Sequence, residues 1–600
     1  MLHRNSHSRS ASLLAHWSLV FLSVATVSAQ QATDTSQSKP PASSAITGRV
    51  VNESGQPLPG VAVSVAAWGA ADARRTATDN EGYFKAEGFD AGVYRIFASS
   101  PSYVSEAPPP WDSSERQPLY RPGDSVTIKL TKGGVIAGTV TNATGDAIVN
   151  VVVRAYRVRD AEGKTLPTAT SSRERLTDDR GYYRLYGLQP GSYLVSAGGQ
   201  GQYVSGYAAN PYGNDVPTYA PASTRDAAVE FVVRSGDEAT ADIRYRGEPG
   251  HSISGRVSGV QPNPTYIPSV LIVESTSHAL VATANAMDEN RGFQVNGVPD
   301  GDYEIAARAG GGPNGDASAS ATKRISVKGA DVTELELALA PLASISGRVN
   351  LELDSKSNCG RHRETALRET LISARRDPDQ PNSKDKTTAA LEAWALVPTL
   401  VEVPPNDKSE IVFRNLIAGT YRMDARLPGA GWYVRAINLG EAEPKLSTSA
   451  GAHANIARDG LNVRTSAKIS GLTIVIAEGG ANLRGRVSTS EGQQLPQNVH
   501  VCLAPAERED ADNVLKFFEV AAEADGSFVI GNIAPGRYWI VSRITDETDS
   551  TKLKLISKDS ALRAKVRHEA ESLKREISFK PCEQTVDYNL QFAHAAPLSH

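Results

Sequence analysis

The sequence predicts an all-β chain: a tandem array of about five antiparallel β-sandwich modules with one late amphipathic helix. Three observations carry that expectation. A short strand pattern centred on glycine occurs five times along the chain. Each copy is followed by a turn in which Gly or Asn precedes a Gly by four residues and a Tyr by six. Short alternating segments bounded by turn residues fill the remainder, which is the spacing of antiparallel sandwiches rather than of strand–helix–strand units.

The opening strand reads Ile46-Thr47-Gly48-Arg49-Val50 in its first copy. The others are Ile136-Ala137-Gly138-Thr139-Val140, Ile253-Ser254-Gly255-Arg256-Val257, Ile345-Ser346-Gly347-Arg348-Val349 and Leu483-Arg484-Gly485-Arg486-Val487. The alternation places one face in a core, and the glycine on that face predicts a bulge or the close approach of another backbone. The turn appears as Gly88 to Ile96, Gly187 to Val195, Gly297 to Ile305, Asn415 to Met423 and Asn532 to Ile540. Its first position is a residue that tolerates left-handed backbone. Its tyrosines, Tyr94, Tyr193, Tyr303, Tyr421 and Tyr538, are expected to close one end of each core while the hydroxyl bonds nearby backbone, as in a tyrosine corner. Between the two elements lie Asp- and Gly-bearing hairpin turns such as Thr78 to Phe84 and Thr177 to Tyr183. These read as turns rather than calcium loops, because each has fewer oxygen ligands than calcium takes. The fourth copy, Asn406 to Phe413, lacks the glycine and predicts a looser turn.

Closing strands are expected at Ser125 to Leu130, Ala228 to Val233, Thr333 to Leu339 and Leu472 to Ile476. The modules then span 45–131, 132–249, 250–342, 343–478 and 479–594. The fourth carries an insertion over 351–401, read as loop with some helix. A helix is predicted over 559–577, where Leu562, Val566, Ala570, Leu573 and Ile577 form one apolar stripe facing the last sandwich.

At 600 residues the chain is too long for one domain, and a net charge of −4 gives no basic footprint for nucleic acid. Residues 1–29 read as a secretory signal peptide: His3, Arg4 and Arg9 precede an apolar run from Leu13 to Val27, and Val27-Ser28-Ala29 offers a cleavage site before Gln30. Residues 30–44 are a linker, and no later stretch is long and apolar enough to span a membrane. The expected setting is therefore the periplasm, the outer-membrane surface or the exterior. Of the three cysteines, Cys502 and Cys582 share the last module and are the expected pair, against the alternative of three separate buried thiols.

The patterns at Ile46 to Val50, Gly55 to Val63, Thr78 to Phe84 and Gly88 to Ile96 resemble the carboxypeptidase regulatory-like domain. That resemblance implies a transthyretin-like sandwich related to Cna-B-type modules and the carbohydrate-binding-like fold, and an extracytoplasmic setting. It does not imply an activity. Modules four and five keep only the opening strand and the Gly-x-Tyr turn. The spacing His568-Glu569-Ala570-Glu571 lacks the remaining ligands of a catalytic zinc, and no nucleophile elbow or phosphate loop is present. No catalytic residue, metal or cofactor is expected. The expected role is binding of carbohydrate or a cell-envelope partner, or spacing. The alternatives are accessory modules of a hydrolase or transporter system, or an unrecognised carbohydrate-active enzyme. Candidate ligand-binding aromatics are Trp68, Trp111, Tyr203, Tyr207, Tyr212 and Tyr219, which lie in loop-like segments where sugar rings can stack. The competing reading is that these rings pin their own loops to the sandwich.

Overall fold

The computed structural model describes residues 45–592 apart from 71, 106–116, 201–210, 260–265, 278, 288–289, 311–314, 355–358, 360–362, 378–399, 441–455, 490–493 and 545–558, with the backbone alone at 167–172. The signal peptide and linker expected from the sequence lie outside those residues, and so does the junction at Gln30.

Each of the five modules packs an opening-strand sheet against a second sheet around its own apolar cluster. In module 1 the opening strand Ala45–Val51 lies between Tyr83–Glu87 and Ser125–Lys132. The facing sheet is Ala73–Ala77, Ala62–Ala67 and Tyr94–Ser99. Module 3 joins its two layers edge to edge into a single eight-stranded sheet. Pairing is antiparallel except at one place in every module, where opening and closing strands run parallel. A parallel partner needs a long crossover, and the rest of the module supplies it.

The opening glycines sit where that parallel pair comes closest. A Cβ on Gly48, Gly138, Gly255, Gly347 or Gly485 would collide with the carbonyl oxygen of Val126, Ala241, Leu335, Leu472 or Tyr588, each on or beside the closing strand. The aromatics Phe84, Tyr183, Phe293 and Phe528 pair with four of these glycines and are buried. Ile411 takes that place in module 4, with Phe413 two residues on.

The turn motif behaves as its composition requires. Gly88, Gly187, Gly297, Asn415 and Asn532 are all left-handed, with φ between 58° and 79°. Each following tyrosine is buried and donates its hydroxyl to the carbonyl four residues earlier: Tyr94 to Asp90 at 2.8 Å, Tyr193 to Gln189 at 2.6 Å, Tyr303 to Pro299 at 2.7 Å, Tyr421 to Ile417 at 3.1 Å and Tyr538 to Ala534 at 2.8 Å. Burial pushes the pKa of Tyr94, Tyr303 and Tyr538 up, which keeps the hydroxyls as donors. Replacing Tyr421 with Phe removes one such bond while keeping the ring. The expected cost is about 1 kcal/mol, read as faster hydrogen exchange in module 4 with the other modules unchanged.

The hairpin turns also bond themselves. The Asp79 carboxylate accepts the amides of Glu81 and Tyr83, and Asp178 accepts those of Arg180 and Tyr182. The fourth copy is not looser. Asn406 accepts the amides of Lys408 and Glu410, and Ser409 takes the positive φ of 64° that glycine takes elsewhere. In the third copy Arg291 takes that φ, at 52°, rather than Gly292. One bond holds this position in all five modules: its carbonyl, on Gly82, Gly181, Arg291, Ser409 or Gly526, accepts the amide of Val50, Val140, Val257, Val349 or Val487.

Three further expectations are corrected. The closing strand of module 2 is not Ala228 to Val233. It is Glu238–Thr240 with Ile243–Arg244, interrupted at Ala241 where Gly138 abuts, while Phe231–Val233 pairs in the other sheet. The module 4 insertion is not only loop and helix. Its Leu371–Arg376 is a core strand between Leu400–Val403 and Gly419–Arg426. The late helix is shorter, Ser560–Ser572, capped by Asp559. Val566 and Ala570 pack with Leu562 and Leu573 on the last sandwich, but Ile577 belongs to the strand Glu576–Phe579.

Three of the four module joints are nearly linker-free. Only Gly133 separates Ser125–Lys132 from Gly134–Thr141, and only Leu342 separates Val332–Pro341 from Ala343–Glu352. Gly479 and Gly480 separate Lys468–Glu478 from Ala481–Ser488. The left-handed corner residue has a second use at these joints. A Cβ on Gly133 would strike the backbone of Gly187 and one on Gly250 that of Gly297, while one on Gly297 would strike the carbonyls of Gly213 and Asp215. The Asn415 amide donates to the Gly315 carbonyl at 3.1 Å and accepts the Ala317 amide at 2.8 Å. The Asn532 amide donates to the carbonyls of Gly429 and Trp432, both at 2.7 Å. At these joints the glycine corners pack backbone on backbone, and the asparagine corners bond backbone groups of the preceding module.

Candidate functional site

The aromatics singled out in the sequence do not form one surface. Trp68 stands between module 1 and module 4: its indole donates to the Glu402 carbonyl at 3.1 Å, with the Arg95 and Arg426 guanidinium groups 5.5 and 6.0 Å from its ring. Around it Arg121 donates to the carbonyls of Glu369 at 3.0 Å and Leu427 at 2.9 Å, and Arg426 donates to that of Gln117 at 2.8 Å. Tyr212 packs edge-on against Tyr245 at 5.5 Å, on the module 2 core. Tyr219 is buried beside Tyr156 and Arg225, and burial pushes its pKa up to about 12. Arg225 continues to Glu274 of module 3 at 3.4 Å. Trp111, Tyr203 and Tyr207 lie outside the described residues.

The loop that begins after Gly191–Ala197 is anchored from below by a buried charge. Arg154 and Glu174 are 2.7 Å apart with almost no exposure. Arg154 also donates to the carbonyl of Gly198 at 3.0 Å and to that of Gln200. One guanidinium thus satisfies a buried carboxylate and the free carbonyls of a glycine turn.

The cysteine expectation is overturned. The disulfide joins Cys359 to Cys582, and Cys502 is a buried free thiol. Cys502 faces Ala504, Phe517, Val541, Val566 and Ala570 beneath the late helix, out of reach of the module 4–5 joint where Cys582 sits. There the Cys582 amide donates to the Gly479 carbonyl at 3.1 Å, and Cys359 comes from the module 4 insertion. Arg363 grips the buried Glu478 at the same joint through two bonds, of 2.8 and 2.6 Å. Burial pushes the Cys502 thiol well up, so it is unreactive while the helix is docked. Alkylation of the native protein is expected to leave Cys502 unlabelled until unfolding, and Cys359 and Cys582 unlabelled until reduction. Cys359→Ser should weaken the module 4–5 joint by about 2–4 kcal/mol, read as faster exchange at 479–481 and 581–583.

Two outward tyrosines were missed. On Tyr182–Leu188, Tyr182 and Tyr186 are 38% and 41% exposed on the outer face of the opening-strand sheet of module 2, with Arg184 between them. Period-two counting from the buried Tyr183 and Leu185 would have placed both outside. His568 and Glu571 lie on the late helix, and Glu571 pairs with Arg567 at 3.7 Å. Among the described residues no group of His, Cys, Asp and Glu is placed to hold a metal ion, and no helix is long and apolar enough to cross a membrane.

No curated protein matches the chain in sequence. Among solved structures, the TIE protein of Bacillus anthracis is 13% identical, covering 49% of this chain and 51% of its own, with a TM-score of 0.13. The chain thus spans about half the length of that protein. The minor pilin GBS52 of Streptococcus agalactiae is 14% identical over 34% of this chain and 95% of its own, with a TM-score of 0.18. The major pilin subunit BcpA of Bacillus cereus is 11% identical over 49% of this chain and 99% of its own, with a TM-score of 0.12. At such TM-scores the likeness says nothing about module arrangement or function. The sequence model of the carboxypeptidase regulatory-like domain matches residues 45–120, so module 1 carries a domain of that family.

Proposed function

We propose that the chain is an exported, non-catalytic scaffold of the cell envelope that holds a binding surface in fixed orientation, with carbohydrate or an envelope protein as its ligand class. The observation that carries this reading is the construction of the joints. At three of the four joints strand runs into strand across one or two residues, and corner residues, ion pairs and a disulfide clamp modules to their neighbours. The contact of Trp68 and Arg121 with module 4 adds a clamp between modules distant in sequence. The disulfide supports an oxidising compartment, in keeping with the signal peptide expected from the sequence over 1–29.

The test is expression of the full chain in a Gram-negative host, followed by fractionation and N-terminal sequencing. The expected product is an envelope or secreted protein that begins at Gln30, with Cys359 and Cys582 oxidised. A cytoplasmic product with an intact Met1 and reduced thiols would sink the exported reading. Turnover of peptide or polysaccharide by the pure protein would sink the non-catalytic one.

A further inference from the structure

We infer that the outer face of the opening-strand sheet of module 2 is a binding platform for an acidic polysaccharide, one bearing carboxylate sugars. The inference rests on the non-catalytic binding reading and supplies its ligand class.

The face is built by strand alternation. Tyr182, Arg184 and Tyr186 point outward from their strand while Tyr183 and Leu185 enter the core. Next to them on Gly134–Thr141, Thr139, Ala137 and Val135 lie opposite, and Glu238 and Thr240 continue the rows on the closing strand. The two phenol rings stand about 13 Å apart along the strand, four residues at about 3.3 Å each. That is the reach of a short oligosaccharide rather than of one sugar. Their hydroxyls have no hydrogen-bond partner among the described residues, and their exposure shows that the core does not need them. The Arg175 guanidinium lies 5.0 Å from the Tyr186 ring centre and donates to the Glu174 carbonyl at 2.9 Å, which holds the ring in place before any ligand arrives.

The polar groups choose the ligand. Arg173, Arg175 and Arg184 border the rings; of the two carboxylates on the closing strand beside them, Glu238 already pairs with Arg184 at 2.9 Å and Asp242 accepts the amide and hydroxyl of Thr139. The face is therefore rich in donors and carries net positive charge, on a chain whose net charge is −4. Guanidinium groups fit carboxylates in a forked geometry, so a uronate polymer satisfies both rings and charges, while a neutral glucan satisfies only the rings. The other modules lack the arrangement. The positions matching Tyr182, Arg184 and Tyr186 are Tyr83, Lys85 and Glu87 in module 1, and Gly292, Gln294 and Asn296 in module 3. They are Glu410, Val412 and Arg414 in module 4, and Ser527, Val529 and Gly531 in module 5.

The experiment titrates the full chain, by calorimetry at low and high salt, with polygalacturonate and with dextran. Wild type is expected to bind polygalacturonate, more weakly at high salt, and to prefer it to dextran. Tyr182→Ser with Tyr186→Ser, and separately Arg173→Gln with Arg175→Gln, should each lower affinity about tenfold while exchange in module 2 stays at the wild-type level. Absence of binding to polygalacturonate, equal binding of dextran, or unchanged affinity in the tyrosine variant would each overturn the platform. So would a self-association of the wild type that the tyrosine variant abolishes, because a second copy would then cover the face. Release of new reducing ends would instead overturn the non-catalytic reading, so the two failures are distinguishable.

Discussion

Arg154→Met is expected to destabilise module 2 by about 3–5 kcal/mol. The methionine keeps much of the volume but leaves Glu174, itself about 4% exposed, without the cation 2.7 Å away. The carbonyls of Gly198 and Gln200 lose a donor at the same time. Because several modules unfold separately, one melting temperature is a poor measure. Hydrogen exchange over Val152–Arg159 and Gly191–Ala197 is the direct one, and it should accelerate while module 5 is unaffected. The double variant Arg154→Met with Glu174→Leu removes the stranded carboxylate and should recover much of the loss. The recovery stays incomplete at 198–200, since the turn carbonyls are still unmet. Equal destabilisation in the single and double variants would show that the pair matters only through the turn.

Gly347→Ala should cost module 4 about 3 kcal/mol, the upper part of the usual range for overpacking. A methyl there meets the carbonyl oxygen and the side chain of Leu472 on the parallel closing strand. Neither neighbour can yield: Leu472 is fully buried in the module 4 core, and its carbonyl belongs to a strand held between two partners, Ala343–Glu352 and Trp432–Leu439. The strands must separate, so exchange should rise along both Ala343–Glu352 and Lys468–Glu478. Gly429→Ala, where a methyl meets nothing within 4 Å, is the control and should be close to neutral. A Gly347→Ala protein as stable as that control would remove the steric account of the repeated glycine.

What could be read in the sequence was what is local. The corner tyrosines bond a carbonyl four residues back, the Asx turns bond themselves, and the left-handed corners announce themselves as Gly or Asn. Misreadings came where local pattern offers two equal choices or none. Ala228 to Val233 alternates as well as Glu238 to Arg244 does, and only the parallel pairing with Gly134–Thr141, where the bare Gly138 admits the Ala241 backbone, makes the latter the closing strand. Leu371–Arg376 ends in two arginines amid a charged stretch, which hid a core strand. The disulfide partner of Cys582 is 223 residues away in another module, beyond any reading of spacing. Of the six aromatics nominated for binding, Trp68 went to an intermodule contact and Tyr212 and Tyr219 to packing. A polar, glycine-rich context marks a loop but does not say which way its rings turn. Tyr182 and Tyr186 escaped notice because the turn before them already accounted for an aromatic.

The parallel pairing of opening and closing strands has a mechanical consequence. In each module the chain enters along one of these strands and leaves along its hydrogen-bonded neighbour in the same direction. Tension on the two ends therefore slides the pair lengthwise, and its bonds share the load and fail together instead of unzipping singly. Where Lys468–Glu478 passes into Ala481–Ser488 through two glycines, the pull is handed straight to the next module's pair. Each module is therefore expected to resist tension applied between its own two ends.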